Sequence, residues 1–240
     1  MKLEQIKATL KTSEYDFLRE NKKLGNNIMV LTLGGSHAYG LDKEDSDLDI
    51  RGIALNSKEE ILLGNDFEQI VNVETDTTLY SFNKMIQLLT SNNPNTIEIL
   101  GCKLEHYPLR DWAGMWNEMK TIVTSYNKIG KRNENAMSHN KLGKHMAHLL
   151  RLYMMCIDIL EKEEIITYRS AERDLLMRIR NGEYLDANRQ PVSDFYDLLN
   201  EYEKRFEYAK QNTSLPDVPD YKRINEFKMY VNEKIVKGEV

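Results

Sequence analysis

A short apolar run, Ile28 to Leu33, ends in Gly34-Gly35-Ser36-His37-Ala38-Tyr39-Gly40, and Ser46-Asp47-Leu48-Asp49-Ile50-Arg51-Gly52 follows it closely. The run reads as a buried strand, and the paired glycines as a turn whose free backbone N–H groups offer a resting place for phosphate. Asp47 and Asp49 alternate with Leu48 and Ile50. On a strand, expected over Leu48 to Leu55, both carboxylates then share one face while the apolar residues fill the other. Two adjacent carboxylates repel each other unless a cation lies between them. Hard divalent cations such as Mg²⁺ take oxygen ligands and bridge to substrate phosphates. The two segments together point to metal-dependent chemistry on a nucleotide.

Asp45 extends the alternation and invites a calcium-loop reading. Such a loop needs glycine at its sixth position and glutamate at its twelfth. Counted from Asp45, these positions hold Ile50 and Asn56, which excludes it. A third carboxylate is available in Val73 to Tyr80, part of a strand-like stretch from Gln69 to Phe82 that reads as one strand or a bent pair. Glu74, Asp76, Thr78 and Tyr80 would share a face there, and the pattern alone does not separate Glu74 from Asp76. Three carboxylates can hold two Mg²⁺ ions.

Bulk properties narrow the class. The chain has 240 residues, 30% of them charged, and a net charge of −5, which argues against a general nucleic-acid coat. The charge is uneven: Lys128, Lys131, Arg132, Lys141, Lys144 and Arg151 lie in a stretch whose single acid is Glu134, a local excess suited to a polyanion. The N-terminus lacks the apolar core of a signal peptide. Leu149 to Leu160 is too short to span a bilayer. A soluble, cytoplasmic protein with no membrane partner is expected. Cys102 and Cys156 stand in apolar settings without metal-ligand spacing, so both are expected reduced and buried.

The organisation is expected to be α+β in front and all-α behind. Residues 1–23 read as a surface helix, Asn83 to Leu89 as a helix stopped by Ser91-Asn92-Asn93-Pro94, and Thr96 to Leu100 as another short one. Beyond about 108, helical patterns dominate. The longest runs from Asn140 to about Glu163, with Leu142, Met146, Leu149, Tyr153, Ile157 and Leu160 on one apolar stripe. Val192 to Gln211 and Tyr221 to Lys237 follow, joined by a rigid proline-containing linker.

The set Gly35-Ser36, Asp47-Leu48-Asp49 and a single later Asp resembles the DNA polymerase β nucleotidyltransferase superfamily. Gly-Ser-His-Ala-Tyr-Gly at 35–40, Ser-Asp-Leu-Asp-Ile-Arg-Gly at 46–52, Asp76 with Lys84, Asn93-Pro94 with Glu98, Arg180-Asn181-Gly182-Glu183 and Ser214 to Asp220 resemble one branch of it, the RNA-repair-pathway nucleotidyltransferase family of bacteria and phages. The resemblance implies a nucleotidyltransferase domain over 1–107, a small mixed sheet with flanking helices, and a helical domain over 108–240 closing a nucleotide cleft. It favours Asp76 over Glu74. Asp47, Asp49 and Asp76 would hold two Mg²⁺ (or Mn²⁺) ions, Asp76 would help deprotonate the acceptor hydroxyl, and Gly35 and Ser36 would hold the β/γ-phosphates of an NTP.

Lys141, Lys144, His148 and Arg151 step by three, four and three, forming one stripe opposite the apolar one. With the helical domain placed across the cleft, as the resemblance implies, these side chains would offset charge on the triphosphate or the departing pyrophosphate. Tyr39 is expected to pack in the turn. Arg51 either pairs with the acidic cluster or contacts phosphate. The expected activity is transfer of an NMP from an NTP to a hydroxyl, with an RNA or tRNA 3′ end as the first acceptor. A protein hydroxyl, a small molecule such as an aminoglycoside, and a non-catalytic nucleotide-binding module are the alternatives. Base preference and oligomeric state stay open.

Overall fold

The structure is a computed structural model that describes residues 3–110, 118–119, 121–122 and 142–240. Its architecture is α+β. Five strands, β1 (Ile28–Leu33), β2 (Ile50–Ala54), β3 (Gln69–Asn72), β4 (Thr77–Ser81) and the two-residue β5 (Leu109–Arg110), form one mixed sheet in the order β3-β4-β2-β1-β5. β1 runs antiparallel to β2 and β5, β3 and β4 form an antiparallel hairpin, and β2 and β4 are parallel. Two registers place the acidic residues. Leu33 opposite Ile50 sets Gly34 beside Asp49, and the Gly34 N–H donates to the Asp49 carbonyl at 2.8 Å. Ile50 beside Thr77 sets Asp49 beside Asp76 where the two parallel strands begin.

All six residues of β1 are buried, because both faces of the sheet are covered. One cover is the N-terminal segment. In place of a single helix over 1–23 there are two short ones, α1 (Leu3–Thr9) and α2 (Phe17–Glu20). The break falls where hydroxyls take up backbone carbonyls, Thr9 Oγ1 to Gln5 O at 3.0 Å and Thr12 Oγ1 to Thr9 O at 2.8 Å. Ile6, Leu10, Tyr15 and Leu18 are buried with Leu31, Leu33, Ile50 and Leu79. On the other face lie α3 (Gly35–Tyr39), α5 (Phe82–Thr90) and α6 (Pro94–Leu100), with α4 (Lys58–Leu63) between β2 and β3. Ser81 caps α5, and Asn93 with Pro94 starts α6. The stretch from Gln69 to Phe82 is a hairpin whose turn holds Glu74 and Asp76, so neither carboxylate lies on a strand.

Four further helices follow: α7 (Leu142–Lys162), α8 (Arg173–Arg180), α9 (Ser193–Asn212) and α10 (Tyr221–Lys237). The sequence reading assigned no helix to α4 or α8. Both are short, and α8 carries many charges, but Leu176 and Ile179 are fully buried against α7. Leu152, Met155, Cys156 and Ile159 of α7 share one apolar cluster with Val30, Ile53 and Phe82 of the sheet half. α10 returns to the front half, with Phe227 edge-on to Phe82 at 5.7 Å and Asn232 Nδ2 donating to Asn83 Oδ1 at 3.0 Å. Cys102 is half-buried, Cys156 is buried, and both are free thiols. Among the described residues, no helix is long and apolar enough to cross a membrane.

The helix α7 is buried nearly all round, rather than along one apolar stripe alone. Its Asp158 and Arg151 are both buried. Asp158 accepts from Arg169 Nη1 at 2.6 Å and from Lys162 Nζ at 2.8 Å. Arg169 lies in the strap between α7 and α8 and donates its backbone N–H to the Tyr39 carbonyl at 3.0 Å. The pair thus ties α7, the strap and α3 together. Removing one partner leaves a buried charge unmet, so Asp158→Ala is expected to cost about 3–5 kcal/mol. Asp158→Asn, which keeps an acceptor, should cost less. Urea unfolding of the two variants checks both the size and the order.

Candidate active site

The turn after β1 brings backbone against a carboxylate. Gly35 has φ +52°, where a side chain is strained, and a Cβ there would overlap the Asp49 carboxylate and lie 2.7 Å from its Cγ. A Cβ on Gly34 would come within 2.9 Å of Arg51 Cγ. Glycine at both positions therefore lets α3 start directly against Asp49, with Ser36 lining the cleft beside it. Asp47 and Asp49 sit in extended chain just before β2 rather than within the strand. The ladder begins at Ile50 because its N–H is the first to find a neighbouring carbonyl, that of Asp76, at 3.2 Å. Asp76 closes the β3–β4 turn with φ +41°.

Arg51 fixes that turn. Its Nη1 donates to the Asp76 and Ile50 carbonyls at 2.5 and 2.9 Å, and its Nη2 to Asp76 Oδ1 at 3.2 Å. Of the two roles left open for Arg51, the structure shows the ion pair. Asp47, Asp49 and Asp76 all line one cleft of about 730 Å³, and Glu74 does not. Lys84 lies outside it, paired with Glu68 at 2.9 Å.

The opposite wall comes from α7. Lys144 is exposed at the cleft, and His148 is half-buried. Lys141 lies outside the described residues. Arg151 also lines the cleft but is 1% exposed, a consequence of its partners. Its Nη2 donates to Glu98 Oε1 at 2.6 Å and to His148 Nδ1 at 2.9 Å, and its guanidinium stacks 3.5 Å from the Tyr39 ring centroid. Tyr39 in turn donates its hydroxyl to Glu98 Oε2 at 2.5 Å. Tyr39 therefore packs, as expected, but against a cation. Nε and Nη1 of Arg151 have no hydrogen-bond partner among the described residues. Burial and the adjacent Arg151 charge push the His148 imidazolium down to about 4. At neutral pH His148 is thus a neutral ring; with Nδ1 accepting from Arg151, its remaining N–H is on Nε2. It supplies a hydrogen-bond donor rather than the positive charge anticipated for the stripe.

Three residues in or behind the cleft had no role in the sequence reading. Glu98, which does not line the cleft, organises Tyr39 and Arg151, and Arg180 and Lys43 line the cleft. Arg180 Nη1 donates to the Leu41 carbonyl at 2.9 Å, and Lys43 Nζ to Asn181 Oδ1 at 2.8 Å, so the end of α8 holds the loop that carries Asp47. The signal for them was present in the Arg180-Asn181 and Asn93-Pro94…Glu98 motifs, without a partner to give it meaning.

Among the described residues, no three His, Cys, Asp or Glu side chains are drawn together as a preformed metal cage. The close pair is Asp49 and Asp76, in which Asp49, while protonated, donates to Asp76. Burial, that bond and the Asp76 charge raise the Asp49 carboxyl to about 6, while the bond from Asp49 holds Asp76 below the usual range. A pair of hard oxygen donors in mutual repulsion, with Asp47 on the same wall, fits a divalent cation in the chemistry of its donors. The sign for stability follows. The folded state holds the Asp49 proton more tightly than the unfolded chain, so its ionisation destabilises the fold as pH rises from the ordinary carboxylate range through about 6. Asp49→Asn removes that ionisation and keeps a donor for Asp76. Without divalent cations it should melt above the wild type at pH 8, the gap closing toward pH 4. A gap independent of pH would show that ionisation of Asp49 is not its source.

The comparisons with known proteins agree with the geometry on one point and are silent on the rest. No curated protein and no solved structure matches the chain. The model of the RNA repair pathway DNA polymerase beta family matches residues 4–230, which include the sheet, the glycine turn, the three aspartates and helices α7 to α9 in full. With nearly its whole length matched, and with the cleft assembled from the residues described above, the chain belongs to the RNA repair pathway DNA polymerase beta family.

Proposed function

We propose that the protein is a metal-dependent nucleotidyltransferase that moves an NMP from an NTP to the hydroxyl of an RNA end. The observation that carries this reading is the Asp49–Asp76 carboxyl pair packed against the Gly35-Ser36 turn and facing Lys144 across one cleft. Such a cleft joins a seat for cations to a seat for phosphate. Membership in a DNA polymerase beta family supports the transfer chemistry, and the RNA repair description supports the acceptor class.

Asp47, Asp49 and Asp76 would hold Mg²⁺, which when bound neutralises phosphate charge and acidifies an attacking hydroxyl. Gly35 and Ser36 bind the β/γ-phosphates through backbone N–H and hydroxyl. Lys144 offsets their charge, and His148 donates from Nε2. Asp76 takes the proton as the acceptor oxygen bonds to the α-phosphorus. The α–β anhydride bond breaks, and pyrophosphate leaves in line with the attack. The Tyr39–Glu98–Arg151 cluster keeps the turn and α7 in fixed relation, so the phosphate seat and its counter-charges need no rearrangement.

Asp47→Ala and Asp49→Ala are expected to remove nearly all release of pyrophosphate from labelled NTP in the presence of Mg²⁺ and RNA. Turnover like that of the wild type in either variant would overturn the reading. Loss of one hydrogen bond to a charged group costs about 1.5–3 kcal/mol, so Ser36→Ala should lower kcat/KM for NTP roughly ten- to hundredfold.

Lys144→Ala separates a triphosphate contact from an RNA contact. A raised KM for NTP with unchanged RNA affinity is the expected result. Weaker RNA binding, with a salt dependence reduced by about one unit of slope, would place Lys144 on the acceptor instead.

A further inference from the structure

Behind the glycine turn lies a second cavity of about 180 Å³, which shares Gly35, Tyr39 and Arg51 with the cleft but opens between β4 and α6. Most of its polar groups are already engaged. Glu98 is bonded by Tyr39 and Arg151, Arg51 by Asp76, and the Cys102 thiol by the Glu98 and Leu33 carbonyls. The side chains of Thr78, Tyr80 and Asn95 line the cavity and make no hydrogen bond among the described residues. Thr78 and Tyr80 are two apart on β4 and share a face with Arg51, which pairs with Thr78 in the parallel register. Gly35, which abuts Asp49, and Arg51, which bonds Asp76, line both spaces, so the cavity adjoins the carboxyl pair.

Tyr80 is buried, Thr78 half-buried and Asn95 exposed, and none of their polar atoms is sealed off, so each keeps its hydrogen-bonding capacity for whatever fills the cavity. Here residues bearing two hydroxyls and a carboxamide border a space of roughly six waters at ~30 Å³ each. That is room for one sugar ring. The unengaged polar groups are hydroxyls and a carboxamide, and among the described lining residues the cation, Arg51, is already bonded to Asp76, which disfavours a phosphate. A single serine or threonine hydroxyl would satisfy at most part of the lining.

We propose that this chamber is the subsite for the acceptor's terminal sugar, whose vicinal hydroxyls are recognised by the Thr78 and Tyr80 hydroxyls and the Asn95 carboxamide. The inference rests on the transfer reading above and deepens it. It makes the acceptor a vicinal diol, presented either by the 3′-terminal ribose of an RNA or by a free sugar, and seats that diol beside Asp76. No covalent step is added: the chamber orients the hydroxyl that attacks.

The test uses the full chain, with Thr78→Val, Tyr80→Phe and the double variant. These changes remove hydroxyls that bond nothing in the protein, so melting temperatures should not fall. Binding of a short fluorescein-labelled RNA ending in a 2′,3′-diol is measured by anisotropy without NTP, beside the same RNA ending in a 2′,3′-dideoxynucleotide. Each lost hydroxyl is expected to weaken diol binding roughly three- to tenfold. The dideoxy RNA should bind the wild type as weakly as the diol RNA binds the double variant. Equal affinity of wild type and double variant for the diol RNA overturns the proposal, as does equal affinity of the wild type for the two ends. Displacement of the RNA by free adenosine assigns the chamber to sugars in general, and failure to displace assigns it to the RNA end. Transfer assays separate the two readings. Wild-type transfer with a KM for RNA unmoved in the double variant sinks the chamber alone. Diol-dependent binding without any transfer sinks the transfer reading and leaves the chamber.

Discussion

The contact on which the cleft depends is between a glycine and a carboxylate. At Gly35 there is no space for even a methyl group beside Asp49, and the backbone there is left-handed. This is the one arrangement in which the β1–α3 turn can present its N–H groups and Ser36 next to an acidic pair. Both neighbours are set by strand register. The antiparallel β1–β2 pairing brings the turn to Asp49, and the parallel β2–β4 pairing brings Asp76. A slip of one residue in either ladder would send the acidic side chains to the opposite face. Gly52 of β2 opposes a slip against β1, because a Cβ at its place would lie 2.7 Å from the Val30 carbonyl oxygen.

A second constraint sits on the other wall. α7 is a core helix that carries two buried ion pairs, Arg151 with Glu98 and Asp158 with Arg169. Burial of ions is a weak source of stability, because desolvation offsets much of their attraction. What these pairs accomplish is location. Glu98 holds Tyr39 from the turn and Arg151 from α7 at once, and Arg169 binds the strap to both. The glycine turn and the basic wall thereby share one polar cluster. The same cluster leaves His148 uncharged and makes Lys144 the exposed basic residue of the described stripe.

The candidate site was legible to the extent that its chemistry lies in short segments. Gly35-Ser36 and Asp47-Leu48-Asp49 could be read because a turn and an alternating pair express their geometry within a few residues. Asp76 could not be separated from Glu74 by period, since both lie in a turn where the two-residue alternation does not hold. Arg151 matched a phosphate-facing stripe because helical spacing reports which residues share a face but not what covers that face. Glu98 looked like an ordinary helix residue, its partners being 59 and 53 positions away.

By itself, the sequence determined the α+β order of elements, the strand β1, the helix bounds of α10, the glycine turn, and two of the three acidic residues. Local rules govern all of these: apolar period, capping, and the conformational freedom of glycine. Only the tertiary structure decided that α7 is buried on nearly every side, that the N-terminal helix breaks to cover the sheet, that Arg51 belongs to Asp76, and that Thr78 and Tyr80 face a chamber beside the cleft. Each of these depends on which distant surface arrives to complete a contact. Pairing register and packing set that, and no window of neighbouring residues encodes it.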